Sequence, residues 1–171
     1  PADPEALSSA LDRWLVVCPT VTLESPMEGA AGVVAPDNAA LGRQLAAALL
    51  EDWTGGEVLL LDTAGRCAGV AERLAAAEAA LTEAEVPVRR AETLPEGDGT
   101  AWVMAFEPSA TQRSAEKKEA EGRSFALYGV GTTSAITAQL ERGSVAAMAA
   151  WSDYAAGNLA VRRAPEAARG E

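Results

Sequence analysis

Arg66, Arg73, Glu107, Trp151 and Asp153 carry the chemistry that stands out in a chain without a single histidine. Arg66 follows the apolar run Val58-Leu59-Leu60-Leu61, and a guanidinium there can fork onto a hydroxyl pair or a carboxylate. The plainer reading is a surface arginine in a turn. Arg73, further along the same segment, reads as an intrahelical partner near Glu72 or as a domain-edge contact. Trp151 offers a flat apolar face on which a sugar ring stacks; alternatively it packs at a sheet edge. Glu107 and Asp153 are a candidate carboxylate pair for glycoside chemistry, but nothing in their spacing fixes their separation. Gly129-Val130-Gly131 lacks the third glycine of a dinucleotide fingerprint and the lysine of a phosphate loop. Cys67 stands at a helix start, where a thiolate is favoured, yet with no histidine or nearby second cysteine it reads as an inert thiol.

Composition removes whole classes of function. Without histidine there is no serine–histidine–aspartate hydrolase and no histidine-ligated metal centre. Cys18 and Cys67 allow at most one bridge and show no metal-type spacing. The 14 Lys+Arg against 25 Asp+Glu give a formal charge of −11, which repels phosphate backbones. No basic cluster offsets it, so nucleic acid is not an expected partner. No apolar run approaches the roughly 20 residues of a membrane span, and none resembles a signal peptide. The start at Pro1-Ala2-Asp3 fits a chain that lost a leader or one that never had it. A length of 171 residues suits one domain, or one domain with appendages.

The elements that position these residues follow from periodicity. Asp3-Pro4-Glu5 begins a helix that Leu7, Leu11, Trp14 and Leu15 continue. Val16 to Leu23 reads as a strand with Pro19 near its edge or start. Gly32 to Ala35 is a second short strand, and Asp37 or Asn38 caps a helix to about Glu51. Strands follow at 57–62, 86–92, 101–106, 124–130 and 145–150. Helices lie at 69–84, 109–121 and from 134 to Glu141, with a last one from Ser152 to Arg163 and a frayed tail from Pro165. Continuous apolar strands alternating with helices predict an α/β fold, a mostly parallel sheet flanked by helices on both faces. The link between Glu92 and Ala101 is shorter than a usual parallel crossover. The strands it joins are therefore antiparallel neighbours or not neighbours at all. Ligands of such sheets sit beyond the carboxyl ends of the strands, here the loops at 35–38, 62–67, 106–110, 130–134 and 150–153.

Five segments occur in a telling order: Gly32-Val33-Val34-Ala35-Pro36-Asp37-Asn38 with Gly42; Asp62-Thr63-Ala64-Gly65 with Glu72-Arg73; Leu127-Tyr128-Gly129-Val130-Gly131-Thr132; Leu140-Glu141-Arg142-Gly143; and Trp151, Tyr154, Gly157 and Ala160. This order resembles type 1 periplasmic binding proteins, the sugar-binding proteins of ABC transporters and relatives of lactose-repressor-type effector domains. It covers about residues 18–161. The resemblance implies that 32–150 form the C-terminal ligand-binding lobe of a two-lobed clamp. Residues 1–31 would belong to an N-terminal lobe whose main body is missing, and 151–171 would be the return helix and tail. It also implies a ligand set of Arg66, Arg73, Phe106, Glu107, Gly131, Thr132 and Trp151. By position, the family's asparagine-aspartate pair falls on Phe106-Glu107, its sugar-binding aspartate on Gly131 and its hinge glutamine on Trp151. A helix that most relatives carry before Ala101 is missing. A clamp stripped of hydroxyl partners loses specificity steeply, so either the ligand is less polar or ordinary sugar binding is lost.

The function so implied is a sugar-like solute-binding or ligand-sensing domain of an ABC-transporter binding protein, without catalysis, cofactor or metal. Its partners would be a small-molecule ligand and, through the full-length protein, a membrane permease. The resemblance alone implies an extracytoplasmic location. Two rivals stand beside it: an assembly domain derived from such a lobe, and an enzyme in which Glu107 and Asp153 converge. Finally, the resemblance implies that Leu11, Leu15, Val17, Val21, Leu23, Leu159 and Val161 lie on terminal elements whose packing partners are missing. An open strand edge adds to this, so a homodimer by segment exchange is expected, with local fold-back into a monomer as the alternative.

Overall fold

The apolar runs at 58–61, 102–105 and 126–130 form the middle of a five-stranded sheet in the computed structural model, which describes residues 4–15, 17–63, 67–97 and 99–169. In chain order the elements are α1 (Pro4–Leu15), β1 (Val21–Leu23), β2 (Gly32–Val34), α2 (Asn38–Asp52), β3 (Val58–Leu61) and α3 (Ala68–Glu83). They continue with β4 (Val88–Ala91), β5 (Trp102–Ala105), α4 (Pro108–Glu121), β6 (Ala126–Val130), α5 (Ser134–Glu141), β7 (Ala147–Ala149) and α6 (Asp153–Arg169). Two units emerge: Pro1–Asp37, Arg66–Gly69 and Ser152–Glu171 make the smaller, and Asn38–Gly65 with Val70–Trp151 the larger.

In the larger unit all strand pairs are parallel, in the order β4-β3-β5-β6-β7. Every residue of β3 is buried, as a strand covered on both faces must be. Leu59, Leu61, Val103, Ala105 and Leu127 share one face with Ala110 and Ala115 of α4 and with Phe125. By alternation the other residues of β3, β5 and β6 turn to the opposite face. The α/β fold with a mostly parallel, helix-flanked sheet is the one expected.

The short link resolves as the second of its two readings. β4 and β5 are not neighbours; they flank β3, and segment 92–101 makes the crossover without a helix. Arg123, just past the left-handed C-cap Gly122 of α4, pins this strap by donating from Nη1 to the Pro95 carbonyl at 3.0 Å and from Nη2 to that of Gly97. Its guanidinium also lies over the Phe125 ring, 5.1 Å from the centroid.

In the smaller unit β1 and β2 pair in parallel and α6 packs along them. β2 joins β1 there, and the larger unit begins at Asn38. Two terminal expectations change. The strand over Val16–Leu23 is confined to Val21–Leu23, because Val17 and Cys18 both donate to the Trp14 carbonyl and close α1 in a turn; Val16 lies outside the described residues. And α6 does not fray at Pro165 but runs through it to Arg169, with Arg163 and Glu166 paired at 2.7 Å across it.

Candidate functional site

Parallel strands place all their carboxyl ends on one edge of the larger sheet, and three groups meet there around Arg73. Arg73 is 3% exposed. Its Nε donates to Asn38 Oδ1 at 2.7 Å and its Nη1 to the Phe106 carbonyl at 2.8 Å. The guanidinium carbon lies 4.6 Å from the centre of the Trp151 ring. A buried guanidinium is costly unless its donors find acceptors, and here a side-chain amide, a strand-end carbonyl and an aromatic face receive it. Among the described residues Arg73 thus reaches Asn38, the Phe106 carbonyl and Trp151, all outside its own helix.

Local sequence explains the geometry. A Cβ on Gly42 would lie 2.1 Å from the Arg73 carbonyl oxygen, so α2 and α3 meet backbone to backbone. Asn38 stands one turn earlier on the same face of α2, which brings its amide beside Nε.

The other expected site residues divide. Phe106 has a fully buried side chain, so its ring belongs to the core and only its carbonyl serves the edge. Glu107 opens α4 from an extended N-cap without capping it; its carboxylate accepts from Ser109 Oγ and stands 3.5 Å from Arg113 Nη2. Asp153 lies in α6 of the smaller unit. Trp151 is half-buried, and its Nε1 is buried without a hydrogen-bond partner. Thr132 is exposed, whereas Gly131 is buried. Arg66 lies outside the described residues. Cys67 is a half-buried free thiol.

Gly129 and Gly131 serve packing. A Cβ on Gly129 would meet Thr111 Cγ2 at 2.3 Å, and one on Gly131 would meet Ile136 Cδ1 at 2.3 Å. The Thr111 hydroxyl accepts from Val130 N at 3.1 Å, tying the end of β6 to α4. Thr133, next to Thr132, caps α5 by accepting from Ile136 N at 3.3 Å. Glycine here lets side chains from α4, before the strand, and α5, after it, approach the strand end.

Sequence reasoning passed over two of these residues. Asn38 was legible only as a helix cap and Thr111 not at all. The signal for Asn38 was Gly42, one turn on, marking a close approach. Among the described residues no three His, Cys, Asp or Glu side chains gather as a metal site, and no helix is long and apolar enough to cross a membrane. What stands at the edge is a fixed cation against an aromatic face, with the Glu107 carboxylate and the Thr132 hydroxyl on adjoining loops. That arrangement suits holding a ligand.

Residues 1–171 match a family model described as a periplasmic binding protein domain. Comparison with curated proteins gives no match. Among solved structures the chain is similar to the periplasmic component of an ABC-type sugar transport system from Hahella chejuensis, with TM-score 0.85 and 20% identity over 97% of this chain and 69% of that one. It is similar to a carbohydrate transporter solute-binding protein from Agrobacterium radiobacter in complex with D-arabinose, at TM-score 0.79 and 14% identity over 97% and 65%. A third is an ABC transporter solute-binding protein from Agrobacterium vitis with bound allitol, at TM-score 0.76 and 15% identity over 95% and 67%. At these identities the likeness is one of fold.

Proposed function

Because the chain belongs to the periplasmic binding protein domain family, we propose that it holds a small, sugar-like solute at the carboxyl edge of the larger sheet and performs no chemistry on it. The observation that carries this is the Arg73–Trp151 stack. A guanidinium fixed by Asn38 and the Phe106 carbonyl holds the indole in one orientation, the requirement for stacking on the C–H face of a sugar ring. With Nε held by Asn38 and Nη1 by the Phe106 carbonyl, Arg73 acts mainly by orienting Trp151. Hydroxyl recognition then falls to Glu107 and Thr132. D-arabinose and allitol in the two Agrobacterium structures support a polyhydroxy solute. With Gly131 offering no side chain and Phe106 buried, the solute is less polar on that side than one gripped by carboxylate and amide.

Family membership supports the reading of location and delivery. The domain works outside the cytoplasmic membrane and delivers its solute, through the full-length protein, to a membrane permease. It pairs as a homodimer: Val17, Leu23, Leu159 and Val161 of the smaller unit are 72%, 50%, 45% and 74% exposed, beside the short parallel pair β1–β2.

A second reading is favoured by one observation. Arg73 is 3% exposed, a cation more sealed than offered, as in a lobe kept for assembly after sugar binding was lost. Titrating the chain's tryptophan fluorescence with pentoses, hexoses and their alditols separates the two. A saturable change that disappears in Trp151→Phe supports solute binding; no change with any of them supports the scaffold.

A further inference from the structure

The helix-less crossover leaves a cavity of about 220 Å3 between strap 92–101, the end of β3 and the first turns of α4. Arg123 holds the strap by two carbonyls, which keeps it from collapsing onto the sheet. The floor is apolar: Leu61, Leu94 and Ala110 are all buried. The wall is polar. Thr63 Oγ1 is shut off from solvent without a hydrogen-bond partner, and Ser114 is 5% exposed. A buried hydroxyl left unpaired is costly, and a ligand oxygen relieves that cost. At the rim stand Arg113 and Lys117, whose carboxylate partners are distant, Glu107 at 3.5 Å and Glu121 at 3.8 Å. Pairs that long hold little energy, so a closer carboxylate can compete for both cations. Glu92 is the one carboxylate of the lining, and it is exposed. In a chain of net charge −11, two cations over an apolar pocket are a local exception.

We propose that this cavity is a second ligand site, separate from the Arg73–Trp151 edge, that takes a small aliphatic monocarboxylate. The carboxylate sits on Arg113 and Lys117 and accepts from Thr63 and Ser114; the hydrocarbon lies on Leu61, Leu94 and Ala110. The volume is below the roughly 300–1,000 Å3 of drug-sized sites, which limits the occupant to a short acid.

Calorimetric titration of the chain with 4-methylpentanoate, 4-methylpentanamide and inorganic phosphate tests this. The expected result is saturable binding of the acid alone. Arg113→Gln/Lys117→Gln should weaken it about tenfold or more, the loss of charge-assisted hydrogen bonds. Circular dichroism checks that the double variant is folded, and Lys117→Gln alone provides the same reading should it not be. Absence of acid binding, equal binding of acid and amide, equal binding of phosphate, or unchanged affinity in a folded variant would each overturn the proposal.

Discussion

Gly42 and Arg73 are in backbone contact: a Cβ on the glycine would lie 2.1 Å from the arginine's carbonyl oxygen. That contact sets the spacing of α2 and α3, and with it the reach of Asn38 to the guanidinium. Gly42→Ala must push the helices apart, since a helix carbonyl cannot swing away as a flexible side chain would. Overpacking of this kind costs about 1–3 kcal/mol. Urea unfolding should show a lower midpoint with an unchanged slope; a midpoint equal to the parent's would mean that the helices are not so tightly held.

Asn38 separates geometry from polarity at the same place. Asn38→Ala leaves Arg73 Nε without the acceptor now at 2.7 Å, a loss of about 1–3 kcal/mol for a buried donor. Asn38→Asp keeps an oxygen there and should retain most of the stability. If both variants unfold alike, the oxygen is not what matters.

How far these residues were readable in advance depends on the range of the interaction. The strands were legible because runs such as Val58-Leu59-Leu60-Leu61 are buried on both faces, and the helices because their caps and periods are local. The partners of Arg73 were not, since Asn38 and Phe106 lie 35 and 33 residues away and nothing local announces them. The burial of Phe106 was not legible for a related reason, since a phenylalanine at a strand end turns into the core only where distant elements leave space. The crossover 92–101 defied the usual length because Arg123, beyond the next helix, replaces the missing helix as its anchor.

Stability should fall at both ends of the pH scale. The Glu78 carboxyl is held below its ordinary value of 4.5, first by its hydrogen bond with Arg90. Glu119 is lowered from the same value by Ser144 and then Arg142. Below that value the folded chain binds fewer protons than the unfolded one. Their contribution is thus present above about pH 4.5 and drains away as pH falls through the lower folded values. Both pairs reach solvent, so the effect is small and shrinks in salt.

Tyr128 acts at the other end. Burial, then its 2.6 Å hydrogen bond to Asp52, raises the phenol above its ordinary 10.0. The folded chain keeps this proton while the unfolded chain releases it, so stability is lost as pH climbs past about 10. Urea midpoints across pH should show a shallower acid limb in Glu78→Gln and a shallower alkaline limb in Tyr128→Phe. Limbs identical to the parent's would refute the assignment.

The exposed apolar side chains of the smaller unit give a prediction about mass. Light scattering during size-exclusion chromatography should report a dimer, and Leu159→Glu/Val161→Glu should shift it toward the monomer. A single monomer peak for the parent at high concentration would show that the terminal elements are covered locally.

The most direct measurement is calorimetric titration of the chain with D-arabinose, allitol and related sugars and alditols, in parallel with Trp151→Ala. Solute binding at the Arg73–Trp151 edge requires saturable heat with at least one of them, and about tenfold or weaker affinity once the indole face is removed. Saturable binding that Trp151→Ala leaves unchanged, or no heat with any of them, would contradict it.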